Sequence, residues 1–190
     1  MSWGAWVLML VTPLSFIWSA IHIKEIFPKW DWKFKILIDL EAFFTKQKRT
    51  IAWVMGLSSV ILGVYTGILF SAFNARPLWN TSILGPLFLA SGLSAGAAVI
   101  MLFSKKHKER NMFSRIDIGI IVIELFLIIH MFMGFLASTQ VQIDAAELFL
   151  GGPWTAPFWI FVVILGMIVP VILEVLELKK FKIPVVAIGG

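Results

Sequence analysis

The chain has 190 residues, of which 59% are hydrophobic and 14% are charged, and its mean hydropathy is +0.93. A water-soluble domain of this size cannot bury so much apolar surface, which predicts an integral membrane protein. The sequence contains no cysteine, which excludes disulfides, thiolate metal sites and an iron–sulfur cluster bound by this chain itself.

Five apolar stretches are long enough to cross a membrane, because a hydrocarbon core of about 30 Å requires roughly 20 residues of helix. Helix is expected throughout, since lipid cannot pair with exposed backbone groups. The sequence therefore predicts an all-α polytopic transmembrane helical bundle, a single domain over residues 1–190. Its predicted spans are 3–23, 51–73, 83–103, 116–136 and 157–176.

A sixth apolar stretch, 183–190, follows the fifth span and is too short to cross. We interpret it as a truncated sixth span and expect the chain to be part of a longer protein.

The charges of the loops predict the orientation of the chain. Lys and Arg are concentrated in 24–50, 104–115 and 179–182. The loops on the other side contain one basic residue, Arg76. The positive-inside rule therefore places the basic loops in the cytoplasm and the N-terminus outside. Aromatic and aliphatic residues at helical spacing between lysines predict an interfacial helix over 30–44. Because the basic runs flank spans, we do not expect nucleic-acid binding.

Small residues in the second and third spans predict close helix packing. Gly63 with Gly67 and Gly92 with Gly96 are GxxxG pairs, which allow helix backbones to approach closely in lipid. The alternative is that they leave room for a flat ligand beside the helix.

One long run of residues is specific enough to indicate a family. The sequence ILGVYTGILFSAF at 61–73 leads through NARPLWN at 74–80 to LGPLFLASGLSAGAA at 84–98. This pattern resembles the NrfD/PsrC family, the quinone-reactive membrane subunits of nitrite, polysulfide and related respiratory oxidoreductases. The resemblance continues at RIDI (115–118), FW (158–159) and GMIVP (166–170), and it covers about the third to seventh of eight family helices.

The resemblance implies a subunit that binds a quinone or quinol, either menaquinone or ubiquinone, in the cytoplasmic (inner) membrane of a prokaryote. It implies electron exchange with a partner iron–sulfur subunit, which serves a molybdopterin-type or other catalytic subunit. The membrane subunit itself would carry no catalytic centre, metal, haem or iron–sulfur cluster. Proton transfer is left open. The first two family spans, which contribute to the quinone pocket, have no counterpart here.

Three residues at the outer side are candidates for quinone binding. Tyr65 is the only tyrosine, and its phenol can donate a hydrogen bond to a quinone carbonyl. Its position matches the tyrosine of the family's quinone site. Arg76 is an isolated cation that can dock a partner or polarise a head-group carbonyl, and Asn80 is a weaker companion. An interfacial tyrosine and an interfacial anchor are the alternatives.

Four residues are candidates for a proton path. Glu124 lies near the middle of the fourth span, where an ionised carboxylate is costly, and Asp117 lies two turns earlier on nearly the same face. His130 lies further out on another face, and Glu174 lies near the inner end of the fifth span. A structural hydrogen bond between helices is the alternative for Glu124.

Ion pairs are the alternative for the carboxyl groups near the inner side. Asp117 can pair with Arg115 or a lysine, and we expect Glu174 and Glu177 to pair with Lys179 and Lys180 close by on the same helix.

Two other classes of function remain open at this stage. A fragment of a secondary transporter or channel also has intramembrane acids, but it predicts an inverted repeat, which the five spans do not display. A purely structural membrane anchor uses Glu124 to hold helices together. The terminal substrate, the direction of electron flow and proton pumping are not specified by the sequence.

Overall fold

The computed structural model describes residues 2–27, 35–73 and 75–179, and these residues form helices joined by turns, with no strand among them. Five of the helices are long and apolar enough to cross a membrane, which confirms the predicted all-α polytopic bundle. The helices are α1 (Trp3–Ile26), α2 (Lys35–Lys46), α3 (Lys48–Ser71), α4 (Leu84–Phe103), α5 (His107–Leu136), α6 (Gln140–Leu150) and α7 (Thr155–Leu178). The predicted sixth stretch lies outside the described residues.

The chain forms two compact units, Met1–Tyr65 and Thr66–Gly190. The boundary falls within α3, so the first unit holds most of that helix and the second holds its last turns. The assignment of residues 1–190 to a single domain stays a prediction.

The first unit is built from α1, α2 and the greater part of α3. The Ser2 hydroxyl caps α1 by accepting a hydrogen bond from the Ala5 N–H at 3.4 Å. The Lys48 ammonium group lies 5.8 Å from the centre of the Trp18 ring, which is a cation–π distance. Helix α2 covers most of the predicted interfacial helix. Residues 30–34 of that prediction lie outside the described residues, and the membrane-surface position of α2 stays a prediction.

The second unit is organised around a hairpin of α4 and α5, which form the most extensive helix contact among the described residues. The face of α4 that packs is lined largely with small residues, because Ala90, Ala97 and Ala98 are buried. Small side chains let helices approach closely in lipid. At the turn, the Ser104 hydroxyl donates to Glu109 Oε2 at 3.0 Å, which holds the start of α5.

Of the predicted GxxxG glycines, Gly67 makes a close contact. A Cβ at Gly67 would lie 2.4 Å from the Gly85 Cα and 2.4 Å from the Leu84 carbonyl oxygen, so the last turn of α3 touches the first turn of α4. A Cβ at Gly92 or Gly96 would meet no described atom within 4 Å.

Helix α6 lies in the segment 137–156, which the sequence did not predict to be helical. Two side-chain hydrogen bonds connect α6 to neighbouring segments. The Trp159 indole donates to the Phe149 carbonyl at 2.9 Å, and the Gln142 amide donates to the Asn80 carbonyl at 3.0 Å. Ala146 of α6 is fully buried in a core cluster with residues of α5 and α7.

Helix α7 changes its geometry along its length. Its first turn and its last part, Val169–Leu178, are α-helical, whereas Phe158–Ile168 is a π-helix. Pro170 has no N–H to donate, and its ring would clash with the carbonyl four residues earlier in an α-helix. The Val169 N–H bonds instead to the Ile164 carbonyl five residues earlier. A π segment inside a helix is uncommon and frequently occurs at functional sites.

Candidate functional site

The buried polar side chains of the described residues are concentrated on two helices of the second unit. Ser114, Asp117 and Glu124 lie on α5, and Glu174 lies on α7. Ser58, on α3, is the other buried polar residue in the described part of the protein. Burying a polar group without a hydrogen-bond partner costs free energy. Four such side chains on two neighbouring helices therefore indicate a candidate functional site.

Asp117 and Glu174 approach each other where α5 packs against the last part of α7. The two residues are 2% and 5% exposed, and Asp117 and Ser114 are close neighbours of the Glu174 carboxyl group. We call Asp117 and Glu174 the inner carboxyl pair. Arg115 is exposed, so the ion pair considered for Asp117 with Arg115 is not formed. Glu174 likewise lies next to Asp117 and Ser114 of α5 rather than Lys179, the described one of its two expected lysine partners.

Arg110 and Glu177 form an ion pair next to the inner carboxyl pair, at the ends of α5 and α7 that carry the basic loops. We call these the basic ends. The expected partners of Glu177 were Lys179 and Lys180, of which Lys180 lies outside the described residues. The structure instead pairs it with an arginine of the neighbouring helix, because packing of α5 on α7 brings the two together. Nothing in the sequence distinguishes Arg110 from the other basic residues of 104–115.

Glu124 lines a cavity of about 560 Å³ between α4, α5 and the π segment of α7. Ser91 of α4 lies close to its carboxyl group, and Ser94 lies in the same wall. The remaining walls are apolar, with Phe158 and Phe161 contributed by the π segment. The volume is within the roughly 300–1,000 Å³ range of small-molecule pockets, which are typically apolar with a few placed polar groups.

Helix geometry connects the cavity to the inner carboxyl pair. Asp117 and Glu124 are both buried on α5, seven positions apart, which places them on nearly the same face and about 10 Å apart along the axis. His130 does not join this row. It is exposed, and its ring stacks on Phe126 at 5.9 Å between centroids with an angle of 4° between the planes.

Tyr65 lies at the end of the first unit, with its ring against the backbone of α1. A Cβ at Gly4 would lie 2.0 Å from Tyr65 Cε1, so only glycine leaves room for the ring there. Gly4 is buried, and Tyr65 is partly buried. Nothing in the sequence distinguishes Gly4 from the other glycines, because its contact with Tyr65 joins two helices.

Arg76 and Asn80 lie in the second unit, in the turn that joins α3 to α4, and both are exposed. Arg76 forms no ion pair with any residue that the structure describes. The turn is held by the Gln142 amide, which donates to the Asn80 carbonyl at 3.0 Å and the Pro77 carbonyl at 3.4 Å. Trp79 also packs edge-on against Phe70, with ring centroids 5.0 Å apart.

The residues that the structure describes contain no group of three or more His, Cys, Asp or Glu side chains that could hold a metal ion. Five membrane-crossing helices with buried carboxyl groups between them define an integral membrane protein. The chain belongs to the NrfD family. The family model described as "Polysulphide reductase, NrfD" matches residues 1–189.

Three relatives are similar over most of the sequence. Protein NrfD of Escherichia coli (strain K12) is 31% identical, with 98% of this chain and 62% of the relative covered. The NrfD homolog of Haemophilus influenzae is 28% identical, with 96% and 60% covered. The C subunit of polysulfide reductase from Wolinella succinogenes is 33% identical, with 75% and 47% covered. The chain thus spans about half to three fifths of these relatives' lengths. No solved structure matches it significantly.

Proposed function

We propose that the chain is part of the membrane subunit of a respiratory oxidoreductase complex, and that it binds a quinone or quinol and exchanges electrons with a partner iron–sulfur subunit. Membership of the NrfD family supports this role. The name of one relative designates it as the C subunit of polysulfide reductase, which supports a place in a complex with a separate catalytic subunit. The basic loops support an orientation in the cytoplasmic membrane with the N-terminus outside.

The observation that carries the proposal is the cavity at Glu124. A quinone ring is flat and largely apolar, and its carbonyl oxygens accept hydrogen bonds. The cavity offers aromatic and aliphatic walls, the Ser91 and Ser94 hydroxyls, and a carboxyl group that can exchange a proton. These residues fit a ring of this kind, and exposed lining residues such as Phe161 leave the cavity open at the apolar surface of the helices, from which a lipid-soluble quinone would enter.

Tyr65, in the first unit, and Arg76 and Asn80, in the second, do not line this cavity, and a contact of each with quinone is a separate proposal that the family resemblance supports. The Tyr65 hydroxyl would donate to a carbonyl oxygen, and the Arg76 guanidinium would polarise a carbonyl or dock the partner subunit. The exposure of Arg76 and the lack of an ion-pair partner among the described residues leave its charge available for either task.

The row of acids on α5 and α7 is proposed to move protons between the basic side and the quinone. Quinone reduction takes up protons together with electrons, so a site inside the membrane needs a route for them. The inner carboxyl pair would take a proton near the basic ends, and Glu124 would exchange it with the cavity. His130 is the weaker member of the proposed path, because its ring faces away from this row.

Quinol oxidation by the intact complex tests the proposal. Tyr65→Phe removes one hydroxyl, and Glu124→Gln removes a titratable group without changing its size. We expect roughly a 10²-fold loss of turnover in Glu124→Gln, because a positioned acid or base contributes at least that much. Glu147→Gln is the matched control, since Glu147 is exposed on α6. Unchanged turnover in both test variants would contradict the proposal and favour a structural membrane anchor.

A further inference from the structure

One aromatic ring connects the cavity at Glu124 with helix α6. Phe158, the first residue of the π segment, lines the cavity. The same ring packs edge-on against Phe149 of α6, with ring centroids 5.4 Å apart, and against Phe132 of α5 at 5.6 Å. The position of this wall of the cavity therefore depends on how the π segment contacts α6.

Trp159, the next residue, makes the hydrogen bond between these two elements. Its indole N–H donates to the Phe149 carbonyl oxygen at 2.9 Å. That carbonyl lies in the last turn of α6, where backbone oxygens have no helical partner. The residue four positions later is Pro153, which has no N–H to donate. The indole therefore supplies a donor that the backbone cannot supply.

A second contact holds the Trp159 ring against α5. The ring stacks on that of Phe132, with centroids 6.4 Å apart and an angle of 27° between the planes. Trp159 is partly buried, and it is not among the residues that line the cavity. Because its polar contact joins α6 and its apolar contact joins α5, it fixes the start of the π segment relative to both helices.

The π geometry makes the position of this start important. A π-helix is rare, and a rare backbone geometry persists where the surrounding contacts hold it. Pro170 lies just after the end of the segment, and Trp159 is its second residue. A return to α-helical geometry would change the direction of side chains along the segment, among them the cavity residues Phe161 and Leu165. The contacts of Trp159 thus bear on the shape of the whole wall.

We propose that Trp159 is a positioning residue for the quinone cavity, and that its hydrogen bond to Phe149 holds Phe158 and the π segment in place as one wall. This role rests on the proposed function and deepens it, because Trp159 acts on quinone binding without touching the quinone. It also assigns a task to α6, which supports the cavity from the segment 137–156. A tryptophan that serves only as an anchor at the membrane surface predicts no effect on quinone affinity.

Steady-state quinol oxidation by the intact complex tests this role. Trp159→Phe removes the N–H and keeps an aromatic ring beside Phe132. We expect the KM for quinol to rise roughly tenfold, the equivalent of one lost hydrogen bond, while kcat changes by less than about twofold. Trp154→Phe is the matched control, because Trp154 is 56% exposed and its indole makes no hydrogen bond to a described residue. It should leave both constants unchanged.

A double-substitution cycle tests whether Trp159 acts through the wall of the cavity. Phe158→Leu changes the wall itself, so it should raise the KM for quinol on its own. If Trp159 acts by holding Phe158, adding Trp159→Phe to Phe158→Leu should change KM by less than about twofold, because the effects of coupled residues are not additive. A residue that acts independently would contribute the same factor in both backgrounds.

Two results would contradict the positioning role. One is an unchanged KM in Trp159→Phe, even if the complex melts at a lower temperature, because a purely structural tryptophan has that effect. The other is an equal rise in KM from Trp159→Phe with and without Phe158→Leu. Normal quinol oxidation in both Glu124→Gln and Phe158→Leu would instead contradict quinone binding in this cavity, so failure of the proposed function is recognised separately.

Discussion

Arg110 on α5 and Glu177 on α7 form an ion pair that joins the basic ends of two membrane-crossing helices, and their side chains are 33% and 12% exposed. A second pair, Lys106 with Glu109, spans one turn of a single helix end at 3.1 Å, with side chains 78% and 46% exposed. The two pairs lie close together in sequence but differ in burial and in what they connect.

Removing the first pair should therefore destabilise the protein more than removing the second. Glu177→Gln leaves the Arg110 charge without its partner between two helices, which should cost about 1–3 kcal/mol, between the values for surface and buried pairs. Glu109→Gln should cost less than about 1 kcal/mol, because solvent screens an exposed pair. Thermal unfolding of the complex in detergent measures the difference, and equal shifts in melting temperature would contradict it.

Close packing of α3 against α4 depends on Gly67. Gly67→Ala places a methyl group 2.4 Å from the Gly85 Cα, where backbone rather than a flexible side chain must move. Overpacking of this kind should cost about 1–3 kcal/mol. Gly96→Ala is the matched control, because its methyl group meets no described atom within 4 Å. The yield of folded protein after detergent extraction compares them, and similar yields would show that the contact is not required.

The position of the Tyr65 ring depends on Gly4. Gly4→Ala would place its methyl group within the ring, so the tyrosine must turn away from α1. If the Tyr65 hydroxyl binds quinone, Gly4→Ala should raise the KM for quinol by at least as much as Tyr65→Phe does. Tyr65→Phe removes only the hydroxyl, whereas Gly4→Ala displaces the ring together with its hydroxyl. Gly56→Ala, which meets no described atom, should leave KM unchanged. An unchanged KM in Gly4→Ala would show that quinone binding does not depend on the position of the Tyr65 ring.

The turn that carries Arg76 and Asn80 is held by Gln142. Gln142→Leu removes both hydrogen bonds to the turn, with a cost of about 0.5–1.5 kcal/mol for each bond. Backbone amides of residues 75–82 should then exchange hydrogen faster, as mass spectrometry can measure. Gln140→Leu, whose amide bonds to Asp144 within α6, should leave exchange in the turn unaltered. Unchanged exchange in Gln142→Leu would mean that other contacts hold the turn.

The five spans could be predicted from sequence because membrane thickness alone sets the length of an apolar helix. Helix α6 was missed since it is short and its fastening to the core, through Ala146 and Trp159, is tertiary. The π segment was missed because Pro170 is compatible with several local geometries, including a simple kink.

The candidate site could be predicted only in part, for a related reason. Glu124 and Asp117 are conspicuous as acids within one span, and their shared face follows from helical spacing. The contact between Asp117 and Glu174 joins different helices, and so does the pairing of Arg110 with Glu177, so both depend on how α5 packs on α7. Ser114 carries no distinguishing signal in the sequence apart from its place one turn before Asp117.

Photolabelling of the intact complex with an azido-quinone tests the central claim, that this chain binds quinone, most directly. The account predicts covalent adducts in the peptide around Tyr65 and Arg76 or in the π segment Phe158–Ile168, and it predicts that excess native quinol prevents them. Adducts confined to partner subunits, or adducts along the lipid-facing helices that quinol does not compete away, would contradict it.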